Sequence, residues 1–418
     1  MELIRNKGCR MCGTNTFKTV IDMGVHPLVN SLVAKEDLDK EDPRFPLVVK
    51  QCMACSLVQL VEIVDAHDIY KGQDYLFYSS DMPGLSKYFA DYVVQDVIPH
   101  IDPGDLVVEI GSNDGVLLQH LVEDYEVLGV DPSTNVALRA IRKGIPTVPL
   151  FFTEDLARQI VNEYEGKAKA IVANNCIAHL NGLDDLMRGV SRLLADDGVF
   201  IIECNYWGGM VVNGNYSLIY HDHYSYFSAH VWESFARKFG MRPFDAWVTP
   251  AQGGSLRLFL CKDKRLPTQR YMDLLKQESV SGLNTYATSL QYEADVRAAA
   301  LALRDGVLAL KADGKTIAGY GAAAKGFTIL TMSGIGAEHI SYFVDDSPAK
   351  QGKYTPVEHI PIITRAEAAA NPPDVFLVLA PNYAKVIIEK EQAFLKAGGT
   401  IVVPFGRDIR VVTIDQPL

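Results

Sequence analysis

Hydrophobic and polar positions along the chain form short apolar runs, separated by stretches in which apolar residues recur at helical spacing. Apolar runs at 105–110, 125–130, 168–173 and 199–202 predict buried strands, and a helix is predicted at 116–123. Strands that alternate with helices indicate a parallel sheet, which binds ligands at the carboxyl ends of its strands. The pattern therefore predicts an α/β domain in this part of the chain.

The same pattern starts again near the C-terminus. Residues 315–326 are predicted to form a strand, a glycine turn and a helix, and further strands are predicted at 339–345, 374–379 and 400–403. In between, the spacing predicts an amphipathic helix at 230–239, a strand at 253–260 and one or two linking helices within 264–312. We thus predict an N-terminal module (1–66), a first α/β domain (67–263), linking helices (264–312) and a C-terminal Rossmann-like α/β domain (313–418).

Composition narrows the class of protein. The chain of 418 residues is long enough for two or three domains, and 48% hydrophobic with 22% charged residues is ordinary for a globular protein. The net charge of −11 argues against a nucleic-acid partner, because no basic stripe accompanies it. Without a signal-peptide pattern or a long apolar run, we expect a cytoplasmic protein that does not bind membranes.

Four of the seven cysteines form two C-x-x-C pairs, Cys9/Cys12 and Cys52/Cys55. Each pair can aim two thiolates at one ion, and four thiolates complete a tetrahedral zinc site. A redox-active pair is the alternative, but such pairs do not usually occur twice. We therefore expect structural Zn²⁺ in the N-terminal module.

The turn after the first predicted strand reads Glu-x-Gly-x-x-x-Gly from Glu109 to Gly115, which differs from the G-x-G-x-x-G of dinucleotide-binding folds. It resembles motif I of class I S-adenosylmethionine (SAM)-dependent methyltransferases. That resemblance implies that Glu109 faces the methionine amine. Asp131, which follows the next strand, lies about 20 residues after the turn, a position that suits ribose hydroxyls. A βαβ unit with no ligand is the alternative.

Two histidines, one carboxylate and four tyrosines fall within the thirteen residues from Asn215 to Phe227. The pKa of histidine lies near neutral pH, so its side chain can accept or give up a proton, and a neighbouring carboxylate can orient the ring. The same composition also suits a half-buried aromatic strand. His179 falls at the predicted carboxyl end of a parallel strand, where ligands bind, so we interpret it as a functional residue rather than a core histidine. In the C-terminal domain, Gly319-x-Gly321 followed by Ala324 is a weak match to a dinucleotide fingerprint, and Lys325 beside it could neutralise a phosphate or remain solvated.

The order of these motifs closely resembles that of the bacterial sugar C-methyltransferases, which act on nucleotide-linked 4-keto-6-deoxy sugars. The resemblance covers nearly the whole chain and implies a class I Rossmann-like SAM domain between a zinc module and a C-terminal domain. In that family the base segment reads Tyr-His-Glu-His, whereas this chain has Tyr220-His221-Asp222-His223 with a shorter acid.

The resemblance also implies residue roles. His223 would be the general base, oriented with the sugar by Tyr220 and Asp222, while His179 and His221 would belong to the same catalytic group. SAM would contact Tyr75 and the loop and strand-end residues around Glu109 and Asp131, and the nucleotide-linked keto sugar would contact four residues of different segments. The SAM set is Tyr75, Glu109, Gly111, Ser112, Asn113, Asp131, Pro132 and Asn174, and the sugar set is Tyr78, Tyr224, Gly321 and Lys325.

The implied reaction is carbon methylation at C3 through an enolate. Three other functions stay open: O- or N-methylation of a nucleotide sugar, a nicotinamide oxidoreductase using the Gly319–Gly326 loop, and a non-catalytic scaffold that binds zinc and a nucleotide. The sequence contains no heptad repeat, and we expect a monomer or a weak homodimer.

Overall fold

The computed structural model describes residues 3–70, 75, 77–82, 84–164 and 166–416. The strands of this described part are β1 (Leu3–Arg5), β2 (Phe17–Pro27), β3 (Arg44–Cys52), β4 (Val58–Leu60), β5 (Glu62–Val64), β6 (Leu106–Ile110), β7 (Glu126–Val130), β8 (Thr147–Val148), β9 (Ala168–Asn174), β10 (Leu194–Asn205), β11 (Ser225–Tyr226), β12 (Arg242–Thr249), β13 (Ser255–Cys261), β14 (Ile317–Tyr320), β15 (Phe343–Val344), β16 (Ile362–Ile363), β17 (Val375–Val378), β18 (Thr400–Phe405) and β19 (Asp408–Val412).

The α-helices of the same residues are α1 (Ala66–Tyr70), α2 (Leu85–Tyr92), α3 (Thr134–Arg142), α4 (Glu154–Glu163), α5 (Leu183–Leu193), α6 (Trp207–Asn213), α7 (Ala229–Arg237), α8 (Gln269–Val280), α9 (Tyr286–Ala312), α10 (Ala324–Ser333), α11 (Arg365–Ala370), α12 (Ala384–Lys390) and α13 (Gln392–Lys396). Among the described residues, no helix is both long enough and apolar enough to cross a membrane.

The chain divides into two compact units that are built from interleaved segments. The first unit comprises Met1–Lys18, Gln51–Gly208 and Tyr224–Thr285, and the second comprises Thr19–Lys50, Gly209–His223 and Tyr286–Leu418. This division groups residues 19–50 and 209–223 with the C-terminal part. It therefore does not test the boundaries of the four predicted domains, which stay a prediction. Each unit is described separately below.

The first unit contains a seven-stranded sheet in the order β12-β13-β10-β9-β6-β7-β8. Strands β10, β9, β6, β7 and β8 are parallel to one another, and β13 runs antiparallel to both β10 and β12. Every residue of β6 is buried, as expected for a strand covered on both faces. The same unit contains the antiparallel pairs β1/β5 and β4/β11.

Helices cover this sheet because their apolar residues lie on one side. In α5, Leu183, Leu186, Met187, Val190 and Leu193 are buried, the spacing expected of one helix face. A core cluster of the same unit joins strand residues such as Val107 and Val172 with Val97 and Leu117 of the flanking segments. Burial of this apolar face fixes the sheet, and with it the positions of the strand ends that form the candidate site.

The predicted helix at 116–123 is wrong. The described backbone there makes a single 3₁₀ turn, Leu118–His120, flanked by other turns. The amide of Gln119 donates to the carbonyl of Val116 (2.9 Å), so a side chain takes an acceptor that a helical N–H would use. Val116, Leu117 and Leu118 are also all buried, which leaves no polar helix face.

The second unit contains a six-stranded sheet in the order β16-β15-β14-β17-β18-β19. Its first five strands are parallel, and β19 is an antiparallel edge strand. The predicted linking helices are observed as α8, at the end of the first unit, and α9, in the second. The expected α/β fold class, with two Rossmann-like sheets and an N-terminal four-cysteine cluster, is confirmed.

Candidate active site

The two C-x-x-C turns converge on one point in the first unit. The sulfur atoms of Cys9, Cys12, Cys52 and Cys55 all lie within 4.8 Å of one another. The Sγ–Sγ distances are 3.5 Å for Cys9–Cys55 and 3.5 Å for Cys12–Cys52. Disulfide sulfurs are about 2.05 Å apart, so these pairs are free thiols.

This cluster fits a zinc ion. Zinc–sulfur bonds of about 2.3 Å in a tetrahedron place neighbouring sulfurs about 3.8 Å apart, close to the observed separations. The amide of Gln59 donates to Cys9 Sγ at 3.1 Å, a hydrogen bond that orients the sulfur as a metal ligand. Four thiolates fill a tetrahedral ion completely and leave no position for substrate, so the metal has a structural role.

The loop after β6 passes close to its neighbours. Gly111 has φ +72°, and its N–H donates to the carbonyl of Val130 at 2.8 Å. A Cβ on Gly111 would lie 2.5 Å from the Cβ of Cys176, so the position requires glycine for both space and backbone conformation.

Asp131, which follows β7 directly, holds this loop through hydrogen bonds. One oxygen accepts the N–H of Asn113 (2.9 Å) and the other accepts the N–H of Ser133 (2.9 Å), while Pro132 is half-buried between them. A carboxylate has about four lone-pair positions, so Asp131 retains acceptors for ligand hydroxyls. Burial raises the pKa of Asp131 to about 6.

Several polar atoms beside this loop lack protein partners. Among the described residues, Glu109 Oε2, Ser112 Oγ and Asn174 Oδ1 are buried and accept no hydrogen bond. Burial, and then the nearby Asp131 carboxylate, raise the pKa of Glu109 well above its ordinary value. Buried polar groups at the carboxyl ends of β6 and β9 that lack partners fit a ligand with ammonium and hydroxyl groups, such as SAM.

The segment that contains the predicted Tyr75 and Tyr78 is held next to the same loop by Asn135, which the sequence did not predict, and by the predicted Asn113. The amide of Asn135 donates to the Tyr75 carbonyl (2.9 Å) and to the Tyr78 hydroxyl (2.8 Å). The carbonyl oxygen of the Asn113 side chain accepts the N–H of Ser79 at 2.9 Å. The aromatic segment is therefore fixed to α3 and to the glycine loop.

A buried carboxylate, Asp114, completes this attachment. It accepts the Ser80 N–H (3.1 Å) and forms ion pairs with Lys143 (3.0 Å) and Arg139 (3.4 Å). Asp114 lies inside the Glu109–Gly115 motif and could have been singled out from its position. Lys143, Arg139 and Asn135 could not, because only the fold brings them to residues about 30 to 60 positions away.

His179 ends a 3₁₀ turn, Ile177–His179, that follows β9. It lines a cavity of about 230 Å³ in the first unit, whose other polar lining residues include Asp65, His67, Asn181 and Asp185. The expected location at a strand end is thus observed, next to a space that could hold a small polar molecule.

In the second unit, Tyr220 and His223 form a hydrogen-bonded pair. The Nδ1 atom of His223 is 2.7 Å from the Leu218 carbonyl, and its Nε2 atom is 2.9 Å from the Tyr220 hydroxyl. A carbonyl only accepts, so Nδ1 carries the proton and Nε2 of the neutral ring has the basic lone pair. This is the tautomer that a general base at Nε2 requires.

The two residues between them have different environments. Asp222 accepts a hydrogen bond from the Asn30 amide (2.8 Å), and burial raises the pKa of Asp222 to about 6. His221 is fully buried, donates to the Phe45 carbonyl (3.2 Å) and has its pKa lowered to about 4, first by burial and then by His26. These contacts favour a packing role for His221 over the predicted catalytic role.

The glycine loop after β14 repeats the arrangement of the first unit. Gly321 has φ +85° and donates to the Val344 carbonyl (2.7 Å), and Asp345 accepts the N–H groups of Ala322 (2.8 Å) and Ser347 (2.9 Å). The Lys350 amine also lies 3.3 Å from Asp345. Burial lowers the pKa of Lys325 to about 8.

The structure thus brings the four metal ligands together and, separately, the predicted SAM residues. The predicted catalytic group is divided, with His179 in the first unit and Tyr220, His221, Asp222 and His223 in the second. The first unit also contains Tyr224, a predicted sugar contact. Tyr224 is fully buried and its hydroxyl donates to the Val64 carbonyl at 2.7 Å, which favours a structural role. Asn30, which holds Asp222, was not predicted, since it is 192 residues away in the chain.

Comparison with protein families matches three successive parts of the chain. Residues 9–70 match a family described as "Putative zinc binding domain", residues 84–243 match a methyltransferase domain, and residues 250–406 match a C-methyltransferase C-terminal domain. The first match covers the four cysteines, and the second covers the glycine loop.

Single relatives agree with the families. The chain is 33% identical over 416 residues to the C-methyltransferase NovU of Streptomyces niveus, covering 98% of each protein. It is also similar to a solved SAM-dependent methyltransferase from Clostridium acetobutylicum, with a TM-score of 0.35, 15% identity, and coverage of 45% of this chain and 94% of that one. Since the NovU similarity extends over nearly the whole of both chains, this protein belongs to the C-methyltransferase family.

Proposed function

We propose that this C-methyltransferase transfers the methyl group of SAM to C3 of a nucleotide-linked 4-keto-6-deoxy sugar. The observation that carries the proposal is the Tyr220–His223 pair, in which a neutral histidine has its basic nitrogen 2.9 Å from a tyrosine hydroxyl. Carbon becomes a nucleophile only after it loses a proton next to a carbonyl, and this pair is suited to that proton transfer.

The first unit would hold SAM at the glycine loop. Glu109 would face the ammonium of the methionine part, because its buried carboxyl has an oxygen without a partner among the described residues. Asp131 would accept the ribose hydroxyls, and Asn174 and Ser112 offer further polar atoms. When bound, SAM supplies a methyl group on a positively charged sulfur, ready for displacement by a carbon nucleophile.

His223 would act as the base for the C3 proton of the sugar through Tyr220, whose hydroxyl lies 2.9 Å from Nε2 and donates to it. As the Tyr220 oxygen takes the C3 proton, its own hydroxyl proton would move to Nε2. The Nδ1–H of His223 is held by the Leu218 carbonyl, which fixes the ring and keeps the lone pair on Nε2.

The C3–H electron pair then forms the enolate double bond, the C4 oxygen gains the negative charge, and the proton resides on the Tyr220–His223 pair. The enolate carbon would then form the new carbon–carbon bond as the methyl–sulfur bond breaks, and the sulfur would keep that electron pair and leave as a neutral thioether. The proton on the base is later released to water.

Tyr220 and Asp222 would orient this base. The Tyr220 ring lies 4.1 Å from the His223 ring, centroid to centroid, which limits the rotation of both side chains. Asp222 is anchored by Asn30, so the shorter acid of this chain is held by an amide from a distant segment. Three of the predicted catalytic residues thereby occupy one rigid turn.

The second glycine loop would bind the nucleotide. Gly321 allows close approach of a phosphate to the backbone, and Lys325 lies in the first turn of α10. A phosphate would favour the charged form of Lys325, whose pKa burial has lowered to about 8. These residues would recognise the diphosphate rather than the sugar.

The proposal is tested by His223→Asn, which removes the base. General base catalysis contributes about 10²–10⁴-fold, so kcat should fall by that factor while the Kd for SAM changes less than about twofold. Without SAM, the wild-type protein in D₂O should exchange the C3 hydrogen of the keto sugar, and the variant should not. Exchange is read by mass spectrometry.

His230→Asn is the matched control, because His230 is an exposed histidine at the start of α7. This variant should leave both kcat and the rate of C3 hydrogen exchange unchanged. Full activity of His223→Asn would show that His223 is not the base. Methyl transfer to oxygen or nitrogen without hydrogen exchange at carbon would favour the O- or N-methylation reading instead.

A further inference from the structure

Arg10 lies between two metal ligands, in the first C-x-x-C turn, yet its side chain points into the protein and is only 8% exposed. Its Nε donates to the Asn181 side chain (3.0 Å), and its Nη1 donates to the side chain of Gln59 (3.1 Å) and the carbonyl of Tyr224 (3.2 Å). Burying a guanidinium is costly unless most of its donors are used. The fold therefore uses Arg10 for more than closing the metal loop.

One side of this network leads to the metal site. Gln59 is completely buried, and its amide nitrogen donates to Cys9 Sγ at 3.1 Å. The oxygen of the same amide accepts two hydrogen bonds from Arg10, one from its backbone N–H (3.2 Å) and one from Nη1 of its guanidinium. A zinc ion with four thiolates carries a formal charge of about −2, which a neighbouring buried cation partly balances.

The other side leads to the segment that contains His179. Asn181 follows His179 by two residues, and the Tyr224 N–H donates to the Ala178 carbonyl (2.7 Å), immediately before His179. Arg10 therefore contacts groups that hold the chain on both sides of His179. His179, Leu180 and Asn181 all line the cavity of about 230 Å³ described above.

We propose that Arg10 is a positioning residue that couples the four-cysteine site to the His179 segment. This inference rests on the proposed function and on the predicted membership of His179 in its catalytic group. Through Gln59, an intact metal site fixes the guanidinium, and through Asn181 and the Tyr224 carbonyl the guanidinium fixes the cavity wall. The metal thus influences turnover without touching the substrate.

The test uses the full chain with its metal and compares three variants. Arg10→Met removes the donors, and Arg10→Lys retains the charge but cannot reach several partners at once. Asn181→Ala removes the side-chain oxygen that accepts hydrogen bonds from both Arg10 Nε and the Asn6 amide. Asn6→Ala is the matched control, since the Asn6 amide donates to the same Asn181 oxygen (2.9 Å) without involving Arg10. Metal content, Kd for SAM, kcat and hydrogen exchange of residues 176–182 are measured.

We expect Asn181→Ala and Arg10→Met to lower kcat about tenfold, since small misplacements of a reacting group cost factors of this size. Arg10→Lys should recover part of the loss. Metal content and the Kd for SAM should stay within twofold of wild type, while residues 176–182 should exchange faster. Asn6→Ala should resemble wild type in all four measurements.

Unchanged kcat and unchanged exchange in Asn181→Ala, with wild-type turnover intact, would overturn the role of Arg10. An equal fall of kcat in Asn6→Ala would also overturn the role of Arg10, because loss of either donor to Asn181 would then have the same effect on turnover. Absence of methyl transfer by the wild-type protein would instead count against the proposed function, and the hydrogen-exchange comparison would still decide on Arg10.

Discussion

At the scale of single residues, two buried carboxylates define the candidate SAM site. Asp131 and Glu109 both have raised pKa values because burial disfavours their charged forms. Ligand hydroxyl groups donate hydrogen bonds and an ammonium is positively charged, so both favour the ionised carboxylate. Binding of SAM should therefore be linked to the loss of protons from this site.

This linkage predicts a pH dependence. The folded protein releases the Asp131 proton only near pH 6, so the part of the SAM affinity that depends on Asp131 should be full above this pH and decline below it. At one pH unit below the pKa about one tenth of the groups are ionised, which predicts a Kd about tenfold higher at pH 5 than at pH 7. Isothermal titration calorimetry across this range measures it.

In Asp131→Asn the Kd should be higher at pH 7 and depend less on pH, because the residue no longer titrates. Asp155→Asn, at an exposed position in α4, is the control and should keep the wild-type profile. A wild-type Kd that is flat between pH 5 and 7 would contradict the ribose role of Asp131.

The sequence allowed prediction of the residues whose chemistry sits in a local motif. Glu109, Gly111 and Asp131 are examples, because the spacing between strand end, turn and next strand end is local. Asn135 and Asn30 were out of reach, since their partners are 60 and 192 positions away and only the fold brings them together. His221 shows the opposite limit: its motif suggests catalysis, but its burial indicates packing.

At the scale of elements, the turn after β6 would determine the shape of the proposed SAM site. Gly111 must have positive φ and leave room for Cys176, whose Sγ–H donates to the Ile110 carbonyl at 3.0 Å. The glycine motif was predicted from sequence, but the helix expected after it was not observed. The local apolar pattern could not show that Gln119 would take a backbone acceptor there.

Gly111→Ala, compared with a control glycine variant, separates two requirements of this turn: positive φ and free space beside Cys176. The new methyl group would meet Cys176 at 2.5 Å, so we expect at least a tenfold higher Kd for SAM and a lower melting temperature. Gly144→Ala is the control, because Gly144 has φ +83° but nothing within 4 Å of its Cβ position. It should lose only about 1–2 kcal/mol from the left-handed backbone and bind SAM normally.

Equal Kd values in the two glycine variants would show that crowding at Cys176 does not shape the SAM site. Both variants need a thermal melt beside the calorimetric titration, because a largely unfolded Gly111→Ala would lose binding for a trivial reason.

At the scale of the whole molecule, the two units are assembled from interleaved segments. Residues 19–50 and 209–223 join the second unit, although each is flanked in sequence by parts of the first. Hydrophobic periodicity reports only local burial, so it predicted both sheets but could not show which distant segments associate. The paired cysteines are the exception, because metal ligation requires that two distant turns meet.

The four-cysteine site should contribute to folding as a whole. In Cys52→Ser we expect loss of bound zinc, measured by elemental analysis, and a melting temperature several degrees lower, since metal binding stabilises only the folded state. Cys261→Ser is the control. Its buried sulfur lies near the carbonyls of Arg242 (3.9 Å) and Asp263 (3.8 Å), to which a hydroxyl can also donate.

The control should keep its zinc and melt close to wild type. Full zinc content in Cys52→Ser, or a melting temperature unaffected by zinc loss, would show that the cluster does not hold a structural ion.

Carbon methylation of a keto sugar is tested most directly by mass spectrometry of the reaction product. Purified protein is mixed with methyl-labelled SAM and a series of nucleotide-linked 4-keto-6-deoxy sugars. We predict one labelled methyl group, located by fragmentation on the carbon next to the keto group. A label on oxygen or nitrogen, or no transfer to any of these sugars while SAM is bound, would contradict the proposed function.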